Sequence, residues 1–343
     1  MNTIGRIHEI KKEMGDTLVI LAHHYQCDDI VALSDFSGDS FELAQQAYIN
    51  NAEHIVFCGV KFMAESAAVI VGHNQVVQMP DINAGCPMAD MANIYDVELA
   101  WEQLELICDG DVTPIVYMNS DVEIKAFCGR NNGIVCTSSN ALASLHWAFD
   151  RTEKILFLPD QHLGRNTANN MGFSPDEIII WDPAQLFGGN NPDNIRNARV
   201  ILWDGYCPVH HRFTTTNVRD TWIWNKYKEE DRLVIHPECS ENVAAISDSM
   251  GSTGYIIRYV ENAAPGSTIV VGTEVNLVNR LAKENPDKNI VALHKDAICA
   301  DMVKTTPEKL LWTLENIGEV NIVTVPDAIK IDARKALNRM LDL

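Results

Sequence analysis

None of the nine cysteines, at 27, 58, 86, 108, 128, 136, 207, 239 and 299, stands three residues from another. Without a C-x-x-C pair, zinc-ribbon, thioredoxin-like and ferredoxin readings lose their main support. An odd count with no secretory leader argues against a disulfide framework. Basic residues are also scarce, 27 against 47 acidic ones, for a formal charge of −20. Such a field repels nucleic acid and anionic membranes, so neither partner is expected. No apolar run is long enough to cross a bilayer, and MNTIGRIHEIKKEMGD reads as a charged amphipathic helix. A cytoplasmic location is the resulting expectation. There is no dinucleotide-binding glycine fingerprint, which gives no sign of a nicotinamide or flavin cofactor.

The 343 residues are 46% hydrophobic and 22% charged, a globular composition able to bury sizeable cores. Their most informative feature is internal repetition. Counting from His236, Thr253 lies at +17, Gly272 at +36 and Cys299 at +63; counting from His23, Ser40, Gly59 and Cys86 lie at the same distances. A looser copy starts at Asn119, with Ser138 at +19 and Cys207 at +88. Insertions near Cys128–Gly133 and Pro175–Ala198 account for its extra length. Three related strand-loop-helix units, each ending in one cysteine, are therefore expected.

Runs such as LVI, ILFL and IVV are apolar on both faces, as buried parallel strands covered by helices should be. The expected fold class is α/β: three related αβα sandwich domains with short parallel sheets, in pseudo-threefold arrangement around a central active site. The expected domains are 1–86, 87–207 and 208–306, with a C-terminal helix at 307–343 packing back on the first. The segment from 159 to Cys207 reads as loop-rich.

A single cysteine is usually a small buried hydrophobe, and Cys27, Cys58, Cys108, Cys128, Cys136 and Cys239 are read so. Cys86, Cys207 and Cys299 differ because they hold one equivalent position in three units. Three converging thiolates suit either a zinc with an open site or a [4Fe–4S] cluster with one iron left open, a Lewis acid able to act on a substrate oxygen.

Ligands of parallel αβ units bind beyond the carboxyl ends of strands. Those ends carry His23, His24 and Tyr25; Tyr117 and Asn119; Asp160 and His162; His236 and Glu238. Helix starts add Ser40, Ser138 and Ser252-Thr253, whose amides and dipoles suit carboxylates or phosphate as well as ordinary capping. His236-Pro237-Glu238 holds an imidazole and a carboxylate two residues apart around a rigid proline, an acid-base element. His210 follows Cys207 closely enough to meet a sulfur or a substrate.

The segments AHHYQ, SGDSFEL, NAGCPMADM, YMNSDVEIKA, CTSSNA, LPDQHLGRN, GYCPVHHRF, HPEC, GSTG and GTEVNLVNRL, with the final cysteine segment, together resemble the quinolinate synthase family over nearly the whole chain. The resemblance implies one [4Fe–4S] cluster per chain, held by Cys86, Cys207 and Cys299. It implies condensation of iminoaspartate with dihydroxyacetone phosphate to quinolinate, phosphate and water in de novo NAD biosynthesis, with L-aspartate oxidase as a functional link. By match of motif the substrate residues are His23, Ser40, Tyr117, Met118, Asn119, Ser138, His236, Pro237, Glu238, Ser252 and Thr253, and Tyr25, Glu238 and His236 are the catalytic candidates. Two departures stand out: His24 fills the middle of the first motif, and the last reads Cys299-Ala300-Asp301-Met302-Val303 with Lys304 displaced by one. A dehydratase of another polycarboxylate, an iron–sulfur sensor and a zinc hydrolase are the alternatives, the sensor needing a partner surface that this acidic chain does not display.

Overall fold

A computed structural model describes residues 2–224 and 231–343. Three parallel sheets form, their inner strands buried almost throughout and most of their edge strands partly exposed. The first contains β1 (Leu18–His23), β2 (Phe36–Gly38), β3 (His54–Cys58) and β4 (Val76–Gln78), in the order β2-β1-β3-β4. The second contains β5 (Val112–Tyr117), β6 (Ile134–Cys136), β7 (Lys154–Leu158), β8 (Ile178–Trp181) and β9 (Val200–Trp203), in the order β6-β5-β7-β9-β8. The third contains β10 (Arg232–Ile235), β11 (Ser249–Met250), β12 (Thr268–Gly272) and β13 (Asn289–Ala292), in the order β11-β10-β12-β13. All ladders are parallel. One winding therefore recurs three times, which is the structural form of the repeated spacing.

The second sheet's extra strand, β8, comes from the Pro175–Ala198 insertion and adds to the edge beside β9. The segment read as loop-rich is in fact ordered: it holds the helix Gln161–Asn170, β8, the helix Pro192–Asn197 and β9. Its short strands and polar helix ends obscured the periodicity that longer elements display.

By contact the chain forms two compact units. One comprises Met1–Cys86, Arg212–His236 and Ile246–Val325, and holds the first and third sheets; the other comprises Pro87–His211, Pro237–Ala245 and Pro326–Leu343, and holds the second. In the former, the helices Thr3–Met14 and Pro307–Glu315 cover the first sheet, with Ile7, Ile10, Leu310 and Leu314 packed on Ile20, Ala22 and Val56. Each such fully buried aliphatic side chain contributes about 2 kcal/mol of transfer free energy. On the third sheet, Ile256, Val260, Leu277 and Leu281 pack on Val234, Ile269 and Val271 in the same way.

The C-terminal segment expected as one helix is two. Pro307–Glu315 packs on Thr3–Met14, whereas Asp327–Leu341 packs on the helix Val122–Arg130 and on β6 in the second unit. Gly129 makes that approach possible, because a Cβ there would lie 1.9 Å from the Asp332 carbonyl oxygen. Arg339 fixes the end of the helix by donating to the Gly133 carbonyl at 2.5 Å.

Candidate active site

In the first compact unit, β1 delivers His23 to its carboxyl end, where the Tyr25 amide donates to His23 Nδ1 at 3.1 Å and the two rings meet edge-on at 4.7 Å. A nitrogen that accepts is unprotonated, which leaves the His23 proton on Nε2. The Tyr25 hydroxyl lies 2.7 Å from Thr273 Oγ1, just past β12. Sequence reading passed over Thr273, a single polar residue after a strand with its partner 248 positions away.

The helix starts divide their work between neighbouring residues. Asp39, not Ser40, caps Ser40–Ile49 in a capping box, accepting the Phe41 and Glu42 amides while Glu42 takes the Asp39 amide at 2.9 Å. Ser252 caps Thr253–Asn262, accepting the Tyr255 amide at 3.3 Å. The next residue, Thr253, is 1% exposed, and its Oγ1 has no hydrogen-bond partner. These two starts face one another: a Cβ on Gly254 would lie 3.5 Å from Glu42 Oε1 and 3.7 Å from Asp39 Oδ2. His24, the departure in the first motif, reaches Glu42 at 3.5 Å, and that hydrogen bond leads the causes holding the Glu42 carboxyl below its ordinary range. His236, 3% exposed at the end of β10, is tied through its amide to the Gly272 carbonyl at 3.0 Å.

In the second unit, Glu238 is 3% exposed and holds two short bonds. The Tyr117 hydroxyl donates to Oε1 at 2.6 Å, and His210 Nδ1 lies 2.6 Å from Oε2. The same nitrogen is 3.2 Å from Cys207 Sγ. Among the described residues, Cys207, His210 and Glu238 thus form a donor set whose atoms lie within 4.8 Å of one another, a group able to hold a metal. The turn carrying Pro237 and Glu238 is pinned by Asn166, whose amide donates to the Pro237 and Cys239 carbonyls at 2.9 and 2.8 Å. Burial, with the Glu238 charge second, pushes the Asp160 carboxyl well above its ordinary pKa range. Burial chiefly depresses His162 to about 4, so it is neutral at pH 7; its Nε2 is 2.8 Å from His211 Nδ1.

Beyond β5, Met118 is buried with its amide on the Cys136 carbonyl at 2.7 Å, and the buried Asn119 Oδ1 has no hydrogen-bond partner. The wholly buried Lys125, also missed in the sequence, donates to the Ser120 carbonyl and holds this strand end. Ser138 lies in the turn before Ala141–Phe149, where Asn140 is the capping-position residue.

The three cysteines singled out occupy one structural station. In each repeat, the first residue of the helix after the third strand donates its amide to the carbonyl two positions before the cysteine: Lys61 to Ala84 at 2.7 Å, Gln161 to Gly205 at 2.9 Å and Val275 to Ala297 at 2.9 Å. Cys86, Cys207 and Cys299 are partly exposed, whereas Cys58, Cys108, Cys128, Cys136 and Cys239 are buried. The remaining partly exposed cysteine, Cys27, packs against the core of the first sheet. Asp301, the second departure, accepts the Gly85 amide at 3.0 Å and the Lys304 ammonium at 2.6 Å, which joins the Cys86 and Cys299 loops.

No helix among the described residues is long and apolar enough to cross a membrane. The family model described as "Quinolinate synthetase A protein" matches residues 5–342. Similar proteins include the quinolinate synthases of Herpetosiphon aurantiacus (46% identical over 346 residues), Bacillus velezensis (47% over 347) and Acidobacterium capsulatum (48% over 346). Each alignment covers 98% of this chain and 92% of the relative. Matched by that model from residue 5 to residue 342 and by relatives 46–48% identical over 98% of its length, the chain belongs to the quinolinate synthetase A family of enzymes.

Proposed function

We propose that the chain condenses iminoaspartate with dihydroxyacetone phosphate to quinolinate, releasing phosphate and two waters, in the cytoplasm and with L-aspartate oxidase as the source of iminoaspartate. The observation that carries this reading is the family match across residues 5–342. Within it, 1–86, 87–207 and 208–306 are taken as the three repeated units.

The donor chemistry fits one [4Fe–4S] cluster. Three cysteines at equivalent backbone stations, none in a disulfide and all partly exposed, would offer three sulfur ligands. Cys86, Cys207 and Cys299 would hold it, and when bound it supplies Lewis acidity toward a substrate oxygen.

The chain's own groups supply binding and proton movement. Thr253 Oγ1 and Asn119 Oδ1 are buried polar atoms without protein partners, an arrangement that is costly unless a ligand or water satisfies them. Thr253 would donate to a carboxylate or phosphate oxygen, with the free amides of its helix start beside it. Asn119 Oδ1, an acceptor, would take an imine N–H or a hydroxyl. His23, with its proton on Nε2, and Ser40, released from capping by Asp39, would hold the carboxylates, and Ser138, Ser252, Met118 and Pro237 would be further substrate residues.

Tyr25 would donate a proton to the substrate and be restored through Thr273. Glu238 would accept the proton released when iminoaspartate tautomerises to its enamine, while Tyr117 and His210 hold its carboxylate in place. His236 would assist in proton return as the new carbon–nitrogen bond closes the ring. Carbon–carbon bond formation at the phosphate-bearing carbon breaks the carbon–oxygen bond to phosphate, and loss of two waters completes the aromatic ring.

The test is quinolinate formation by anaerobically prepared chain supplied with both substrates. Product that requires both and disappears in Glu238→Gln is expected; turnover of another polycarboxylate in their place would assign the chain a different dehydration.

A further inference from the structure

The helix that follows the third strand of a repeat begins with a capping residue, and in two repeats that residue is acidic and buried. Glu274 caps Val275–Glu284 and Asp160 caps Gln161–Asn170; both are 0% exposed. Each turns its carboxyl to the cysteine loop of its own repeat. The Cys299 amide donates to Glu274 Oε1 at 3.3 Å, while Oε2 takes the Asn276 amide at 2.8 Å. The Leu163 amide donates to Asp160 Oδ1 at 2.8 Å; Oδ2 is buried without a hydrogen-bond partner, and the Cys207 amide is among the backbone groups that oppose the rise burial gives this carboxyl's pKa. The backbone beside Asp160 is close-fitted: Asp160 bridges to Gly205, and a Cβ on Gly205 would lie 2.4 Å from the Pro159 carbonyl oxygen. The first repeat is built differently. Val60 stands at the capping position without a side-chain bond, and the loop before Cys86 is held by Asp301 instead.

We propose that Asp160 and Glu274 are equivalent positioning residues, duplicated with the repeat, that fix the Cys207 and Cys299 backbones through carboxyl oxygens turned to the cysteine amides. The proposal rests on these cysteines being the cluster ligands. A helix cap alone would be served as well by an uncharged Ser or Asn. What a carboxyl adds is a second acceptor oxygen: in Glu274, Oε2 serves the helix start and Oε1 takes the Cys299 amide, and in Asp160, Oδ1 serves the helix start while Oδ2 is left for the Cys207 loop.

The test compares Asp160→Ala, Asp160→Asn, Glu274→Ala and Glu274→Gln in the full-length chain. Iron content is measured first; after chelation of iron, a short iodoacetamide pulse is read by mass spectrometry at each cysteine, with circular dichroism confirming the fold. Asp160→Ala should speed alkylation of Cys207 at least about fivefold, and Glu274→Ala that of Cys299, the opening expected from losing one capping carboxyl, while Cys86 stays unchanged in both. The Asn and Gln variants keep one acceptor oxygen for the helix start and lose the second, so each should raise alkylation of its own cysteine by about twofold or more and leave the other two unchanged. Equal alkylation in the folded Ala variants, or a uniform rise at all three cysteines, overturns the proposal. If an Ala variant fails to fold, the Asn and Gln variants still decide it, since parental alkylation of Cys207 and Cys299 there refutes it. A parent without iron would sink the cluster reading, yet the alkylation contrast would still report on the bracing.

Discussion

Gly205→Ala perturbs one side chain and tests how tightly the Cys207 station is built. The added Cβ would meet the Pro159 carbonyl oxygen at 2.4 Å, where ordinary contact begins near 3.4 Å, so one backbone must move by about 1 Å. Neither backbone is loose: Pro159 adjoins Asp160, and the Gly205 carbonyl holds the Gln161 amide at 2.9 Å. Overpacking against fixed atoms costs about 1–3 kcal/mol, and each kcal/mol lowers the melting midpoint by roughly 2–4 °C in a unit of this size. Because Cys207 lies two residues further on, iron content should fall along with the midpoint. Differential scanning fluorimetry and iron analysis read the two effects. Gly72→Ala, whose Cβ would meet only Gln75 Oε1 at the ordinary contact distance of 3.4 Å, is the control expected to change little. A Gly205→Ala chain with parental midpoint and parental iron would refute the claim that this close approach sets the ligand loop.

Gly129→Ala should lower the midpoint and expose the helix Asp327–Leu341 to limited proteolysis, since its Cβ would sit 1.9 Å from the Asp332 carbonyl oxygen; unchanged cleavage would contradict that docking. His162 has a folded pKa near 4 against an ordinary 6.5, so the unfolded chain takes up its proton first. Stability is then full above pH 6.5 and falls as pH drops toward 4, by at most about 2 kcal/mol between pH 7.5 and 5. Urea titrations should show a shallower pH slope in His162→Gln, and an identical slope would remove His162 as its source. Tyr25→Phe loses the bond to Thr273 and should reduce kcat by about 10–100-fold with iron content unchanged, whereas parental kcat would exclude Tyr25 from proton transfer. Glu238→Gln should lose about a hundredfold or more in kcat while retaining iron, and full activity would dismiss it as the base.

The repeat was legible because the first and third units preserve their lengths: His23 and His236 lead to Cys86 and Cys299 over equal distances. The second unit's offset has a physical cause in β8, which its insertion adds at an edge where a sheet accepts another strand without disturbing the core. Two short edge strands were not legible. β2 holds only Phe36–Gly38, with Phe36 41% exposed, and β11 only Ser249–Met250, so neither carries an apolar pattern. Hydroxyls at helix starts were found, but sequence alone did not separate the cap from its neighbour; the unpartnered Thr253 Oγ1 emerges only when Ser252 is seen to take the capping bond. Thr273, Asn166 and the bracing roles of Asp160 and Glu274 depend on contacts between distant segments, which no local periodicity encodes.

The central claim, that three equivalent stations present the ligands of one cluster, is tested most directly by iron and sulfide content in anaerobically prepared parent, Cys86→Ser, Cys207→Ser, Cys299→Ser and Cys239→Ser chains. The account predicts about four irons in the parent and in Cys239→Ser, with most of the iron lost from each of the other three. Zinc in place of iron, or dependence on a different set of cysteines, would contradict it.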